Sequence, residues 1–320
     1  MLIVSVLMLS LSYELVKNNA SCNCNAPKCV VVADDWNQKE EFIQTIEDEL
    51  ANHILPLAYY PNTGKRWKEF SDQYPECKQI ESNTGLGVVE RNLSACGLND
   101  KPLLLPYLKI EIKVDLETAS GKDAASKEFA FNNEPFAPVL TFATLQGTSQ
   151  NDVMKFSETA SALCNDYLYG SLSGSITTPM SMLNDDGVQT LIAELKYGCL
   201  CVNNHCSYVY FLSNFGMWGA FPGETLDAVE SGIGKIGNSI AIPYVEKAVV
   251  ISPIVHVAHL TIKGDLENER VLFEAMAKYA LNSSLSNLIK LIGAFVRVDL
   301  IRVGTVCTSV LIAGCVYFIR

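Results

Sequence analysis

Apolar and polar side chains alternate along this chain with a period that changes several times, and each change predicts an element. From Leu108 to Glu117 the alternation is unbroken. Leu108, Ile110, Ile112, Val114 and Leu116 share one side; Lys109, Glu111, Lys113, Asp115 and Glu117 share the other. That period of two predicts a strand with one buried and one wet face, the usual condition of an antiparallel sheet. Val139 to Leu145 predicts a second strand. After Asp34-Asp35 the period lengthens: Phe42, Ile43, Ile46, Leu50 and Ile54 recur at helical spacing, and Pro56 ends the run. Gln38, three residues after Asp35, completes a capping-box pattern. Residues 65–73 predict a short helix presenting Trp67 and Phe70. Asp152 to Leu168 predicts an amphipathic helix with Phe156, Ala160, Leu163 and Cys164 on one face and Gly170 as its C-cap.

Val249 to Ile262 follows as a strand region broken by Pro253. Asp265 then caps a helix to Leu281, Asn282-Ser-Ser interrupts it, and Leu285 to Val296 resumes the helical period. Helices and strands are interspersed, yet the best strands are one-sided. The pattern therefore predicts an α+β fold, with antiparallel sheet and packed amphipathic helices, divisible into two subdomains near residue 147.

The two ends are apolar without being amphipathic. Residues 1–12 have the composition of a signal-peptide core, although a charged leading segment is missing; cleavage falls after Ser12 or Ala20 and leaves 21–302 as an ectodomain. A buried first strand is the competing reading. Val303 to Ile319 carries no charge. It reads as a short membrane span, as buried strands, or as a lipid-anchor signal with Asn282-Ser-Ser as attachment residues. Lys290, Arg297 and Arg302 precede it and only Arg320 follows, which puts the preceding side in the cytosol, whereas a cleaved signal puts it in the lumen.

Cysteine usage changes this picture most. The chain has 11 cysteines, many for a reducing compartment. Cys199, Cys201 and Cys206 repeat the spacing of Cys22, Cys24 and Cys29, and each triplet runs into a β-rich segment. Asn203-Asn204 suits a two-residue turn, because Asn tolerates the left-handed backbone that a type I′ turn needs. A hairpin on that turn puts Cys201 opposite Cys206 at a separation a disulfide can span, which predicts a staple. Cys24–Cys29 is the parallel staple, and Cys22 and Cys199 are left over to join each other or remain free. Cys164, on a helix face, reads as a buried thiol.

Charge and motifs exclude more than they assign. The net charge of −11 is spread along the chain, which disfavours nucleic acid and anionic membrane surfaces. Sequons at Asn19, Asn92 and Asn282 mark glycosylation candidates, Asn92 and Asn282 in loop-like segments. Gly232-Ile-Gly-Lys-Ile-Gly237 matches a dinucleotide fingerprint as a string, but lacks the strand before it and helix after it that bring phosphate to a helix N-terminus. His256 and His259 point to opposite faces of a strand and cannot chelate together. Cys199, Cys201, His205 and Cys206 suffice for zinc by count, but neighbours on a hairpin point apart, so no metal and no cofactor is expected.

No coherent catalytic motif emerges. The expectation is a secreted or membrane-tethered, disulfide-stabilised extracellular glycoprotein, in the secretory pathway or at the cell surface. It would act as a binding module for an extracellular protein or small ligand, with Val303–Ile319 as a tether. The alternative is a secreted hydrolase with His256 or His259 as general base.

Overall fold

The computed structural model describes residues 4–5, 18–52, 58, 60–83, 104–206, 209–210, 212–213, 216–237, 244–253, 266–298 and 316–319. It divides into two units, Met1–Ile254 with Val316–Arg320, and Val255–Cys315.

The first unit is built on two mixed sheets whose central strands are parallel. In the larger sheet the strands are β1 (Val4–Ser5), β2 (Cys29–Ala33), β3 (Lys78–Ile80), β4 (Tyr107–Val114) and β5 (Val139–Leu145), in the order β1-β2-β5-β4-β3. β2, β5 and β4 run parallel, with Cys29 opposite Thr141 and Leu108 opposite Val139; the edge strands β1 and β3 are antiparallel. The second sheet contains β6 (Ser173–Ile176), β7 (Cys199–Val202), β10 (Lys247–Ile251) and β11 (Val316–Ile319), in the order β11-β10-β7-β6. Here β6, β7 and β10 are parallel and β11 is antiparallel. β8 (Met217–Gly219) and β9 (Lys235–Gly237) form a separate antiparallel ribbon.

The expected α+β fold with antiparallel sheets is thus replaced by an α/β arrangement. The reason is in the strand sequences. Cys29–Ala33 is buried at every position, and Val139–Leu145 at all but one. Such continuous apolar runs need cover on both faces, which is what crossover helices give a parallel sheet. The helices α1 (Lys39–Ala51) and α5 (Val153–Asp166) supply Phe42, Ile43, Ile46, Leu50, Phe156, Ala160 and Leu163 to one core, which continues through Leu191 of α6 (Asp186–Glu194) to Leu200 and Val249 of the second sheet. On the other face, Phe70 of α2 (Thr63–Gln73) and Phe129 at the start of α4 (Phe129–Asn132) pack on Leu108, Ile110 and Val139; α3 (Ala119–Lys127) precedes α4. β4 does keep a wet face, but as the strand next to the sheet edge. There Lys109 meets the buried carboxylate of Glu47 on α1, which Lys78 also contacts.

Local signals differ in detail from their expected use. Asp152 caps α5, its carboxylate accepting from the Lys155 N–H at 3.0 Å. Asp35 caps nothing: α1 starts later, and this carboxylate accepts from the Gln150 N–H at 2.6 Å and the Ser149 hydroxyl at 2.7 Å. The hairpin at Asn203-Asn204 is absent. Asn203 does take the left-handed conformation, with φ 58°. It does so at the end of a parallel strand, where its carboxamide oxygen accepts from the Thr178 N–H at 2.8 Å. β7 pairs with β6 and β10, not with the residues after Cys206.

The disulfides fall with the hairpin. None of Cys22, Cys24, Cys29, Cys77, Cys164, Cys199, Cys201 and Cys206 is in a disulfide. Cys29 and Cys164 share the apolar core, where burial pushes both thiols up, Cys164 to about 12. Cys201 and Cys199 lie on β7, two residues apart on one side of the strand, and belong to a second apolar cluster with Val209 and Trp218.

The second unit is a pair of helices, α7 (Leu266–Leu281) and α8 (Leu285–Val298), joined at Asn282 and packed through Ala275 and Ala294. Among the described residues no helix is long and apolar enough to cross a membrane. Of the uncharged Val303–Ile319 tail, Val316–Ile319 is the strand β11, with Val316 opposite Val250. The membrane-helix reading fails for these residues, and the rest of the segment lies outside the described residues.

Candidate functional site

His256, His259 and Asn92 lie outside the described residues, as do most of residues 1–17. Asn282 occupies the exposed turn between α7 and α8. Gly232–Gly237 ends in β9 of the β8–β9 ribbon, and residues 238–243, which follow it, lie outside the described residues. Among the described residues no group of three or more His, Cys, Asp or Glu side chains converges on a metal position. His205 is buried and neutral, its pKa lowered to about 3 by desolvation, with the Asn25 carbonyl 3.1 Å from Nε2. The Cys201 thiol donates to the His205 carbonyl at 3.1 Å, and Cys206 Sγ lies 3.6 Å from His205 Nε2.

That contact with Asn25 joins the two cysteine triplets in space. The second triplet lies against the loop that carries Cys24, and the Cys199 thiol is within electrostatic reach of it. The arrangement on this loop's other side is the most chemically loaded in the described residues. Because β2 and β5 are parallel neighbours, the segments leading into them meet at one edge of the sheet. Cys22, Cys24 and Lys28 come from the first segment and Glu134, Pro135 and Phe136 from the second. The Thr141 N–H, donating to the Lys28 carbonyl at 3.0 Å, locks them in register. The first turn of α2 adds Thr63 and Arg66.

Each group has a defined setting. Cys22 is buried: its thiol donates to the Phe136 carbonyl at 3.3 Å and sits 3.3 Å from the Thr63 hydroxyl oxygen. Arg66 donates through Nε to the Pro135 carbonyl at 3.0 Å and through Nη2 to the Phe136 carbonyl at 3.1 Å. Its guanidinium carbon and the Lys28 amine stand 5.7 and 5.2 Å from the Phe136 ring centroid, close enough for cation–π attraction. Lys28 also donates to the Ser21 carbonyl at 2.8 Å. Its stem is partly exposed but its amine is enclosed, and that desolvation lowers it to about 8, against the opposing pull of Glu134. Cys24 is the exposed thiol of the group. Crowding around its sulfur raises it above the ordinary thiol range, with Glu134 adding to the rise and Lys28 opposing it.

The backbone here is strained. Among the described residues six non-glycine residues have positive φ, and four of them, Ala20 (54°), Ser21 (60°), Asn62 (64°) and Phe136 (40°), belong to this cluster or adjoin it. Such conformations cost of order 1–3 kcal/mol each and concentrate at functional sites. The Ser21 hydroxyl is buried without a partner among the described residues, a further cost that ordinary packing does not explain.

The carboxyl edge of the same sheet, where open parallel sheets most often bind ligands, holds only loop-closing contacts. Asp35 is bonded there by Ser149 and Gln150, and Glu117 accepts from Lys155.

Sequence reasoning singled out Cys22, Cys24 and Cys29 for the wrong role and missed Lys28, Arg66, Glu134 and Phe136. One signal was available: Lys28 is the only charge between Ser21 and Ala33, in a stretch leading straight into a wholly buried strand.

The chain matches no protein-family model and no curated protein. Among solved structures it is similar to the NADP-dependent glyceraldehyde-3-phosphate dehydrogenase from Bacillus halodurans C-125 complexed with NADP. The TM-score is 0.45 and the identity 16%, over 72% of this chain and 40% of that one. It is also similar to the gamma-glutamyl-gamma-aminobutyraldehyde dehydrogenase from Burkholderia cenocepacia J2315, with TM-score 0.40 and 15% identity, over 62% of this chain and 34% of that one. The chain thus spans well under half the length of either dehydrogenase. Likeness at this level carries no argument about activity.

The expectation of a disulfide-stabilised binding glycoprotein on antiparallel sheets is corrected by cysteines that form no disulfide and by the parallel α/β architecture. The alternative hydrolase gains no support either: its candidate bases His256 and His259 lie outside the described residues.

Proposed function

We propose that this chain performs thiol chemistry at Cys24, adding its sulfur to the carbonyl carbon of a small electrophile such as an aldehyde. In that step a C–S bond forms, the C=O π bond breaks, and the thiol proton ends on the carbonyl oxygen as a thiohemiacetal. Neither partner is oxidised or reduced. Lys28 supplies the positive charge that favours the thiolate, which is the nucleophilic form. Desolvation of the sulfur, with a smaller contribution from Glu134, outweighs it and keeps the resting thiol protonated. Cys22 and Arg66, both in contact with the Thr63 hydroxyl, hold the strained Phe136 backbone.

The observation that carries this reading is convergence. An accessible thiol, an enclosed lysine of lowered pKa and a strained backbone meet where two parallel strands begin. Perturbed titrating groups gathered in this way mark a candidate functional site.

Calorimetric titration with propanal tests the reading. The intact chain should bind it saturably and a Cys24→Ser chain should not. Equal binding by both would remove Cys24 from the reaction.

A further inference from the structure

A second polar construction, sharing no residue with the Cys24 cluster, lies in the 220–237 segment. The successive backbone N–H groups of Glu230, Ser231 and Gly232 all donate to one oxygen of Glu224, at 2.9, 2.9 and 2.8 Å. The other carboxylate oxygen accepts from the Ser171 hydroxyl at 2.6 Å. Consecutive amides aimed at one oxygen form a nest, a backbone concavity that binds anions.

Three features separate this nest from a simple loop closure. It is held from below without Glu224: the Gly170 N–H donates to the Glu230 carboxylate at 2.8 Å and the Ser171 N–H to the Ser231 hydroxyl oxygen at 2.8 Å. Its last member opens onto space, since a Cβ built on Gly232 meets nothing within 4 Å, and the same holds at Gly223, next to Glu224. Exposed apolar side chains border it in sequence. Val229 precedes the three amides and Ile233 follows them, 48% and 54% exposed, and Leu226, two residues after Glu224, is 83% exposed.

We propose that the amides of residues 230–232 and the Ser171 hydroxyl form a binding site for a carboxylate carried on an apolar body, which Glu224 occupies in cis until a ligand displaces it. The occupant fixes the anion class, because a carboxylate already satisfies all four donors. The apolar residues on either side fix the character of what the carboxylate is attached to. Gly223 itself sits at φ 129°, a conformation that glycine adopts freely, and so provides a hinge beside Glu224.

Calorimetry with hexanoate, acetate and inorganic phosphate tests this on the full chain. Glu224→Ala should bind hexanoate saturably, with a dissociation constant on the order of 1 mM, and about tenfold or more tighter than acetate. The wild type should bind at least about tenfold more weakly, because its own carboxylate competes, and adding Ser171→Ala to Glu224→Ala should weaken binding roughly tenfold. A folded Glu224→Ala chain that binds no hexanoate overturns the proposal. So does equal binding by wild type and variant, or binding of phosphate in place of hexanoate. Should Glu224→Ala not fold, Glu224→Gln keeps the side-chain volume without the charge; it must bind hexanoate several-fold tighter than wild type, and equal affinity would overturn the proposal.

Discussion

Replacing Lys28 by methionine gives a signed, measurable change in how stability depends on pH. In the folded chain desolvation lowers this amine from 10.5 to about 8. Free energy follows at about 1.36 kcal/mol per pKa unit, so charging Lys28 in the fold costs about 3 kcal/mol more than charging it in the unfolded chain. The sign follows from proton binding. Between about pH 8 and 10.5 the unfolded lysine holds a proton that the folded one has released, so stability contributed by this group rises with pH across that window. Below about pH 8 both states are protonated and the cost is felt in full. Urea titrations of wild type and Lys28→Met at half-unit steps from pH 7 to 10.5 isolate the effect, because the other titrating groups are common to both chains. The stability difference, wild type minus variant, should rise by about 2–3 kcal/mol from pH 7.5 to 10.5. Parallel curves would show that Lys28 is solvated and would remove the enclosed amine from the site.

Other outcomes follow from the same contacts. Lys247 is 2% exposed, and its amine donates to the carbonyls of Ile192, Ala193 and Leu195 at the end of α6. Lys247→Met keeps the bulk but strands these carbonyls, so chemical denaturation at pH 7 should show a loss of about 2–4 kcal/mol; a neutral result would mean that water replaces the amine. Dithiothreitol should leave the urea midpoint of the chain unchanged, since neither Cys201 nor Cys206 is in a disulfide. A drop corresponding to the roughly 2–4 kcal/mol of a typical disulfide would restore the staple.

Much of the secondary structure was legible, because local signals were put to local use. Helical spacing placed α1, α2, α5, α7 and α8, and the Asp152 cap placed the start of α5. The alternation of Leu108 to Val114 and the apolar run of Val139 to Leu145 placed β4 and β5. What could not be read was pairing. A wet-faced strand suggests an antiparallel neighbour, yet β4 lies between parallel β5 and antiparallel β3, so its exposed Glu111 and Lys113 report nearness to an edge. Asn203 shows the same limit. Its left-handed backbone was foreseeable from residue type, but the same conformation closes a hairpin or ends a parallel strand, and only the distant partners β6 and β10 decide which.

The candidate site was hidden for the same reason. Cys24, Arg66 and Glu134 come from three segments far apart in sequence, and the parallel β2–β5 register is what gathers them. Spacing within the cysteine triplets suggested covalent links inside each. The structure instead sets one triplet against the other through Asn25 and His205, with no disulfide at any of the named thiols.

The central claim is that this gathering makes Cys24 a reactive thiol, and residue-resolved alkylation tests it most directly. Brief exposure of the folded chain to iodoacetamide, followed by peptide mapping, gives a rate for each described cysteine. The account predicts that Cys24 is modified faster than half-exposed Cys77 and the buried thiols, and that propanal, but not propanol, slows its modification. Labelling of Cys24 no faster than Cys77, or a rate indifferent to propanal, would contradict it.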